Sequence, residues 1–174
     1  MTKTSVARSI LAALAFAFCG LTQPALAETR EPDAIVASFY KAAKNDGGNG
    51  PAFGFKPQDR KRLSKSLAAL WAKADRKAKA RGDEVGAISF DIATQSQGVD
   101  IESYKVKSER KDAGSAVIEA SFIIGGNHVR KGEEVFVLYD FVRENGSWKI
   151  DNLRTASKVK PWSLRGNLER NLKT

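Results

Sequence analysis

Apolar side chains in the first third of this chain repeat with the period of a helix. Beyond residue 30 they stand at Ile35, Phe39 and either Ala42 or Ala43. Spacings of four and then three or four residues place these side chains on one stripe of a helix. Pro32 suits the first helical turn. We therefore predict a helix from about residue 31 to residue 45, followed by a glycine-rich loop over residues 45–56.

A longer apolar stripe predicts a second helix over residues 57–81. Its members are Leu63, Leu67, Leu70, Trp71, Ala74 and Ala78. Their spacing keeps them within about one third of the helix circumference, and lysines and arginines occupy the opposite side. The pattern indicates an amphipathic helix with a basic exposed face.

After Gly98 the apolar positions alternate, which is typical of strands with one buried face. Four strands are predicted near residues 99–108, 113–124, 133–144 and 147–154. Asn145 and Gly146 predict a tight hairpin, because these residues accept the positive φ angles of a type I′ turn. Residues 135–143 are apolar on both faces apart from Asp140 and the final Arg143, so this strand is predicted to be central. Short turns between consecutive strands predict an antiparallel meander.

The first 27 residues have the pattern of a secretory signal peptide. Lys3 and Arg8 precede an apolar run over residues 10–20, and small residues at Ala25 and Ala27 suit a cleavage site after Ala27. The apolar run is shorter than the roughly 20 residues that span a bilayer. The sequence thus predicts a periplasmic or secreted protein with no transmembrane segment after cleavage.

The one cysteine, Cys19, lies inside this signal. Lipidated cysteines require a small preceding residue, and Phe18 is bulky, so we expect Cys19 to be removed with the signal. The mature chain then has no disulfide, thiolate nucleophile or cysteine-ligated zinc. With His128 as the single histidine, neither a metal site nor a cofactor is predicted, and no catalytic residue is assigned.

The positive charge is concentrated in two parts of the chain. The 174 residues are 42% hydrophobic and 28% charged, and residues 28–174 contain 27 basic and 20 acidic side chains. Residues 57–81 alone have a net charge of +7, and residues 154–174 have +5. The candidate anion-contacting face consists of Lys61, Lys65, Lys73, Arg76 and Lys79. The alternative is a lysine-rich face that serves solubility alone.

Three stretches resemble a known fold. They are IVASFY at residues 35–40, the segment from Phe90-Asp91 to Asp100, and WKIDNL at residues 148–153. The chain resembles an uncharacterised bacterial family of envelope proteins and lipoproteins with the nuclear transport factor 2-like, or cystatin-like, cone fold. The resemblance implies N-terminal helices packed into a curved four-stranded antiparallel sheet. In this chain Gly98 follows Gln97, whereas relatives in that family often have an acidic residue directly after the glutamine.

Enzymes with this cone fold place an acid with histidine or tyrosine between helix and sheet, and the resemblance therefore suggests a pocket. Its candidate residues are Asp140, Asp91, Tyr104 and Trp148. Each also has a structural interpretation. Asp140 can pair with a cation on the next strand, Asp91 can cap a turn, and the two aromatic residues can pack in the core. Asp151 is expected to face water beside Lys149.

We interpret the chain as a signal peptide over residues 1–27, one α+β domain over residues 28–154 and a basic tail over residues 155–174 with a possible short helix. The favoured function is a non-enzymatic module that binds an anionic envelope component or an acidic protein partner, for example an immunity or inhibitor protein. Nucleic acid is not expected, because no aromatic residues on the basic face could stack on bases. A small-molecule or catalytic pocket is the alternative.

Overall fold

A computed structural model describes residues 30–45, 47, 53, 57–96, 98, 100–156 and 161–173. Within these residues the helices are α1 (Pro32–Asn45), α2 (Pro57–Arg60), α3 (Lys65–Ala80) and α4 (Leu164–Lys173), and the strands are β1 (Ile101–Lys111), β2 (Ser115–Ile124), β3 (Glu134–Glu144) and β4 (Ser147–Thr155). The predicted α+β class is confirmed. The predicted signal peptide with Cys19, most of the glycine-rich loop and Gln97 lie outside the described residues.

The four strands form one antiparallel sheet in the order β1-β2-β3-β4, as the alternating pattern predicts. β3 is an internal strand, which confirms its predicted place. Asn145 and Gly146 join β3 to β4 with φ angles of 50° and 78°. These positive values are those of the type I′ turn that the Asn-Gly pair favours.

The two faces of the sheet differ in burial because successive strand residues point to opposite sides. We call the side that contacts α1 the inner face. In β2 its residues are Ala116, Ile118, Ala120, Phe122 and Ile124, all of which are buried as predicted. Tyr40 of α1 packs on Phe122 with ring centroids 5.5 Å apart. The outer face is half-buried, and its Phe136 is 41% exposed.

The prediction of one continuous helix over residues 57–81 is wrong. The chain leaves the helical conformation between Arg60 and Lys65, where the Ser64 N–H donates to Ile150 O over 2.8 Å and the Ile150 N–H donates to Arg62 O over 2.8 Å. Leu63 therefore forms a parallel bridge with β4 instead of a helical turn. Pairing with a strand 87 residues away along the chain overrides the local helical pattern.

Ser64 begins α3 as its N-cap. Its hydroxyl oxygen accepts the Leu67 N–H at 3.0 Å and its hydroxyl donates to Asp151 Oδ1 at 2.6 Å. The expectation that Asp151 faces water is wrong, because a bulge between β3 and β4 makes it an extra residue opposite Asp140 and Phe141. The Asp151 carboxylate also pairs with Arg165 of α4.

The short helix considered for the C-terminal tail is present as α4, and it runs beside α3 in the same direction. Arg165 at its start reaches Ser66 Oγ at 3.2 Å, and Lys77 Nζ near the end of α3 donates to Leu172 O at 2.7 Å. The Lys77 ammonium thus satisfies one of the carbonyls that the last turn of a helix leaves unpaired. No helix in the described part of the chain is long and apolar enough to cross a bilayer.

We expect Ser64→Ala to lower the free energy of unfolding by about 2 kcal/mol, because the variant loses the N-cap and a buried hydrogen bond to a carboxylate. Urea denaturation followed by circular dichroism measures this loss. Ser103→Ala, at an exposed position of β1, is the control and should change stability by less than about 0.5 kcal/mol. Equal stability of the two variants would contradict the assigned cap.

Candidate functional site

The structure does not bring the four candidate pocket residues together. Asp140 lies on the outer face, where its carboxylate accepts from Arg154 Nε at 2.9 Å and Arg154 Nη2 at 3.0 Å. Tyr104 and Trp148 lie on the inner face but far apart along the strands. Tyr104 is level with residue 135 of β3, whereas Trp148 is level with residue 143. Eight residues of strand separate those levels by about 26 Å. These side chains therefore do not line one cavity.

Asp91 is buried and caps a turn. Its Oδ1 accepts the Ala93 N–H at 2.8 Å and the Thr94 N–H at 3.1 Å. Tyr104 packs on Tyr40 with centroids 5.9 Å apart, and Trp148 lies 5.4 Å from the Arg143 guanidinium. Asp140 and Asp91 thus make the contacts that their structural interpretations anticipate. Trp148 also belongs to the buried core, and Tyr104 packs against that core.

The space between α1 and the inner face contains a pair of tyrosine hydroxyls. Tyr40 and Tyr139 have no exposed surface, and their oxygen atoms are 3.0 Å apart. Tyr40 donates to Ala93 O at 3.0 Å, so Tyr139 must donate to Tyr40. Burial raises the pKa of both hydroxyls, with a smaller contribution from the negative charge of Asp91. Both groups therefore stay protonated hydrogen-bond donors.

Aromatic rings fill the rest of this space. Phe39 stacks on Phe53 with centroids 4.1 Å apart and lies 6.2 Å from Tyr139. Tyr139 was not among the candidate residues that the sequence suggested. Its inward position between Val137 and Phe141 of β3 was the available signal. Within the described residues, no three His, Cys, Asp or Glu side chains cluster closely enough to hold a metal ion.

The exposed side of α3 carries four of the five predicted cations. We call Lys65, Lys73, Arg76 and Lys79 the basic face, and all four are exposed. The opposite side of the helix buries Leu67, Trp71, Ala74 and Ala78. Lys61, the fifth predicted residue, is exposed in the turn before α3, where its carbonyl accepts from Lys149 Nζ at 2.7 Å.

Asp75 on α3 and Glu144, which contacts the start of α3, both have other partners. Asp75 pairs with Arg60 at 3.4 Å and accepts the Ala87 N–H at 3.0 Å. Glu144 accepts the backbone N–H of Lys65 at 3.2 Å. Among the described residues, no ion pair involves a side chain of the basic face. The neighbouring α4 adds two exposed cations, Arg170 and Lys173, and one exposed acid, Glu169.

Three members of the basic face follow one another at three-residue spacing. Lys73, Arg76 and Lys79 therefore have Cβ atoms about 5–6 Å apart along one ridge of the helix. Like charges at this spacing destabilise a helix by about 0.2–0.5 kcal/mol per pair. This arrangement can attract anions, and it lowers the stability of the helix that carries it.

No family model matches the chain, and no curated protein matches it. Among solved structures, it is similar to a chain of the type VI native effector-immunity complex Tae3-Tai3 from Ralstonia pickettii. The two share 18% sequence identity with a TM-score of 0.48, over 75% of this chain and 98% of that chain. At this level the likeness assigns neither a fold family nor a function.

The tyrosine pair predicts how stability depends on pH. Unfolded tyrosines ionise near pH 10, whereas the raised pKa values keep Tyr40 and Tyr139 protonated in the folded protein. The free energy of unfolding should therefore fall above about pH 10, by up to about 1.4 kcal/mol per pH unit for each tyrosine. Urea unfolding between about pH 9 and pH 11 measures this slope. A Tyr40→Phe/Tyr139→Phe variant should show a shallower slope, and an unchanged slope would contradict the prediction.

Two aspartates of the sheet should differ in their contribution to stability. Asp140→Ala should cost less than about 1 kcal/mol, because the half-exposed pair with Arg154 lies on the outer face. Asp151→Ala should cost about 2 kcal/mol or more, because the buried Ser64 hydroxyl loses its acceptor and Arg165 loses its partner. Chemical denaturation of both variants tests this order, and the reverse order would contradict the assigned contacts.

Proposed function

We propose that this protein is a binding module whose basic face docks on an acidic surface of a partner protein and blocks it, as an inhibitor or immunity protein does. The observation that carries the proposal is the ridge of Lys73, Arg76 and Lys79, exposed and without acidic partners among the described residues. Surfaces evolved for solubility alone usually mix charges of both signs. A single-sign ridge is typical of electrostatic recognition.

The charge distribution of the whole chain supports the same interpretation. Residues 28–56 and 82–153 together contain 12 basic and 17 acidic side chains. The chain thus has acids in excess outside its basic segments, yet none of those in the described part pairs with the basic face. A field that reaches about 8 Å into physiological salt solution would orient an approaching acidic partner toward α3.

The packed interior supports binding at the surface rather than chemistry inside the fold. Tyr40 and Tyr139 are inaccessible and bonded to each other, and Asp91 uses its carboxylate to cap a turn. A reaction at these groups would require a substrate to displace the aromatic core. Surface recognition requires no such rearrangement.

A protein partner is proposed in preference to an anionic lipid surface. Helices that bind the bilayer interface insert large apolar side chains into it. The apolar side of α3 is instead buried within the protein, and the exposed apolar residues between Lys65 and Lys79 are the small Ala69 and Ala72. Lipid binding would therefore rest on charge alone.

We also propose that residues 1–27 direct export and are cleaved after Ala27, so that the binding module acts in the periplasm or outside the cell. The mature domain over residues 28–154 is proposed to be a nuclear transport factor 2-like cone. The order of α1, α3 and the four-stranded meander supports this assignment. The tail over residues 155–174 contributes α4, which lies beside α3.

A photo-crosslinking amino acid at Ala72 tests the docking face, because Ala72 is exposed between the cations of α3. In cells that produce the protein we expect a discrete protein adduct from Ala72. No adduct is expected from Ala113, which is exposed between β1 and β2. The adduct should decrease at least about tenfold in a Lys73→Glu/Arg76→Glu/Lys79→Glu variant, because the attractive field reverses sign.

The matched control is Lys41→Glu/Lys105→Glu/Lys131→Glu, which changes the net charge equally at three exposed positions outside α3. This variant should retain most of the adduct. Equal losses in both triple variants would show that total charge, and not the basic face, drives binding. Retention on phosphatidylglycerol vesicles that depends on the basic face, without a protein adduct, would overturn the proposal in favour of lipid binding.

A further inference from the structure

A large cleft opens at the end of the sheet where β3 begins and β4 ends. Its volume is about 960 Å³, within the usual range of small-molecule sites. Among the described residues its apolar lining consists of Phe90, Val135, Phe136 and Trp162. The Phe90 and Trp162 rings meet edge to face, with centroids 5.7 Å apart and an interplanar angle of 61°. No residue of the basic face lines the cleft, so binding in the cleft does not depend on the proposed docking of a partner at the basic face.

Phe136 is unusual among the aromatic residues that the structure describes, because 41% of its surface is exposed. It stands on the outer face and also lines the cleft. Phe90 and Trp162 are only half-buried. Three aromatic side chains thus keep accessible surface around one concavity, where a flat apolar group could contact all three.

The cleft also contains a strained residue with an unpaired polar atom. Gln95 has a φ of 55°, in the left-handed region that residues other than glycine rarely occupy. Its amide nitrogen is buried and has no hydrogen-bond partner among the residues that the structure describes. Backbone strain and unsatisfied donors concentrate at ligand sites, where the bound molecule supplies the missing contact. The terminal torsion of a glutamine is soft, so the amide can turn toward an acceptor over the cleft.

A second cleft of about 470 Å³ continues from the first and shares Thr155, Ala156 and Trp162 with it. Its lining adds Arg154 and Arg170. Arg154 forms a salt bridge with Asp140, and Arg170 Nη2 donates a hydrogen bond to Asn167 Oδ1 at 2.7 Å. The far side of the first cleft carries Arg130, Glu133 and Glu134. Arg130 pairs with Glu133 at 2.6 Å, so the exposed Glu134 leaves a net negative charge at that end. Charge along the two clefts therefore changes from negative at Glu134 to positive at the arginines.

We propose that these joined clefts bind a small amphipathic anion, with an aromatic or similarly flat apolar body and a carboxylate or sulfonate group. The body would lie among Phe90, Phe136 and Trp162. The acidic group would point toward Arg170, because Glu134 repels it from the opposite end. An acceptor atom of the ligand, such as an oxygen of its acidic group, would complete the hydrogen bonding of Gln95.

Two fluorescent dyes test the proposal on the full chain. 8-Anilinonaphthalene-1-sulfonate has an aromatic body with a sulfonate, and N-phenyl-1-naphthylamine has the same body without it. We expect saturable one-to-one binding of both dyes to the folded protein, with the sulfonate bound at least about fivefold more tightly because of the arginines. The sulfonate dye should also raise the melting temperature, since it binds the native state selectively.

Variants separate the apolar from the charged contribution. Trp162→Ala and Phe136→Ala should each weaken both dyes by about tenfold, because stacking surface is lost. Trp162→Phe should keep affinity within about threefold of the original protein, because a ring remains. Arg170→Gln should weaken the sulfonate dye about fivefold and leave the uncharged dye unchanged within about twofold. Val129→Ala, at a position that is 98% exposed elsewhere, is the control and should change neither affinity.

Gln95→Gly tests the strained residue, because glycine accepts a φ of 55° without a steric penalty. The variant should be at least as stable as the original protein and should bind the sulfonate dye more weakly. Unsaturable binding, equal affinity of Phe136→Ala and the original protein, or preference for the uncharged dye would overturn the proposal. A cleft that excludes both dyes and accepts only peptide segments would also overturn it.

Discussion

The positions of the helices α3 and α4 depend on one carboxylate, that of Asp151. A bulge in β4 turns this side chain toward the helices, where it accepts the hydroxyl of Ser64 and pairs with Arg165. Ser64 caps α3 and Arg165 lies in the first turn of α4. Half-buried charges tolerate little rearrangement, because separation would leave each one desolvated without a partner. The contact therefore holds both helix starts against the same point of the sheet.

The orientation of α3 follows from this contact and decides which of its residues meet solvent. With Leu67, Trp71, Ala74 and Ala78 buried, the cations of the same helix can only point outward. The parallel α4 closes the flank of α3, and its last carbonyls receive hydrogen bonds from Lys77 and Arg81. Two further cations thus serve the structure, and those of the basic face remain available for a partner.

The other constraint is the aromatic packing between α1 and the sheet. Tyr40, Tyr139 and the neighbouring phenylalanines fill the space between α1 and the inner face. Both candidate binding regions consequently lie outside this core. One is the exposed ridge of α3, and the other is the cleft around Trp162 at the end of the sheet. The two regions differ in chemistry, since the first is cationic and the second is aromatic with charged ends.

The sequence by itself determined the features that depend on neighbours along the chain. Alternation predicted the inner face of β2, Asn145-Gly146 predicted the hairpin, and the apolar stripe predicted which side of α3 is exposed, because local spacing decides these features. At positions where contacts between distant segments conflict with local preference, only the tertiary structure decided the outcome. Leu63 fits a helical stripe, yet it pairs with Ile150 of β4. Asp140 suits either a pocket or a salt bridge, and the position of Arg154 beside it decides for the salt bridge. The cleft around Trp162 joins residues from four separate segments of the chain. The periodicity of apolar residues does not encode such long-range contacts, because they depend on how the sheet and helices pack in three dimensions.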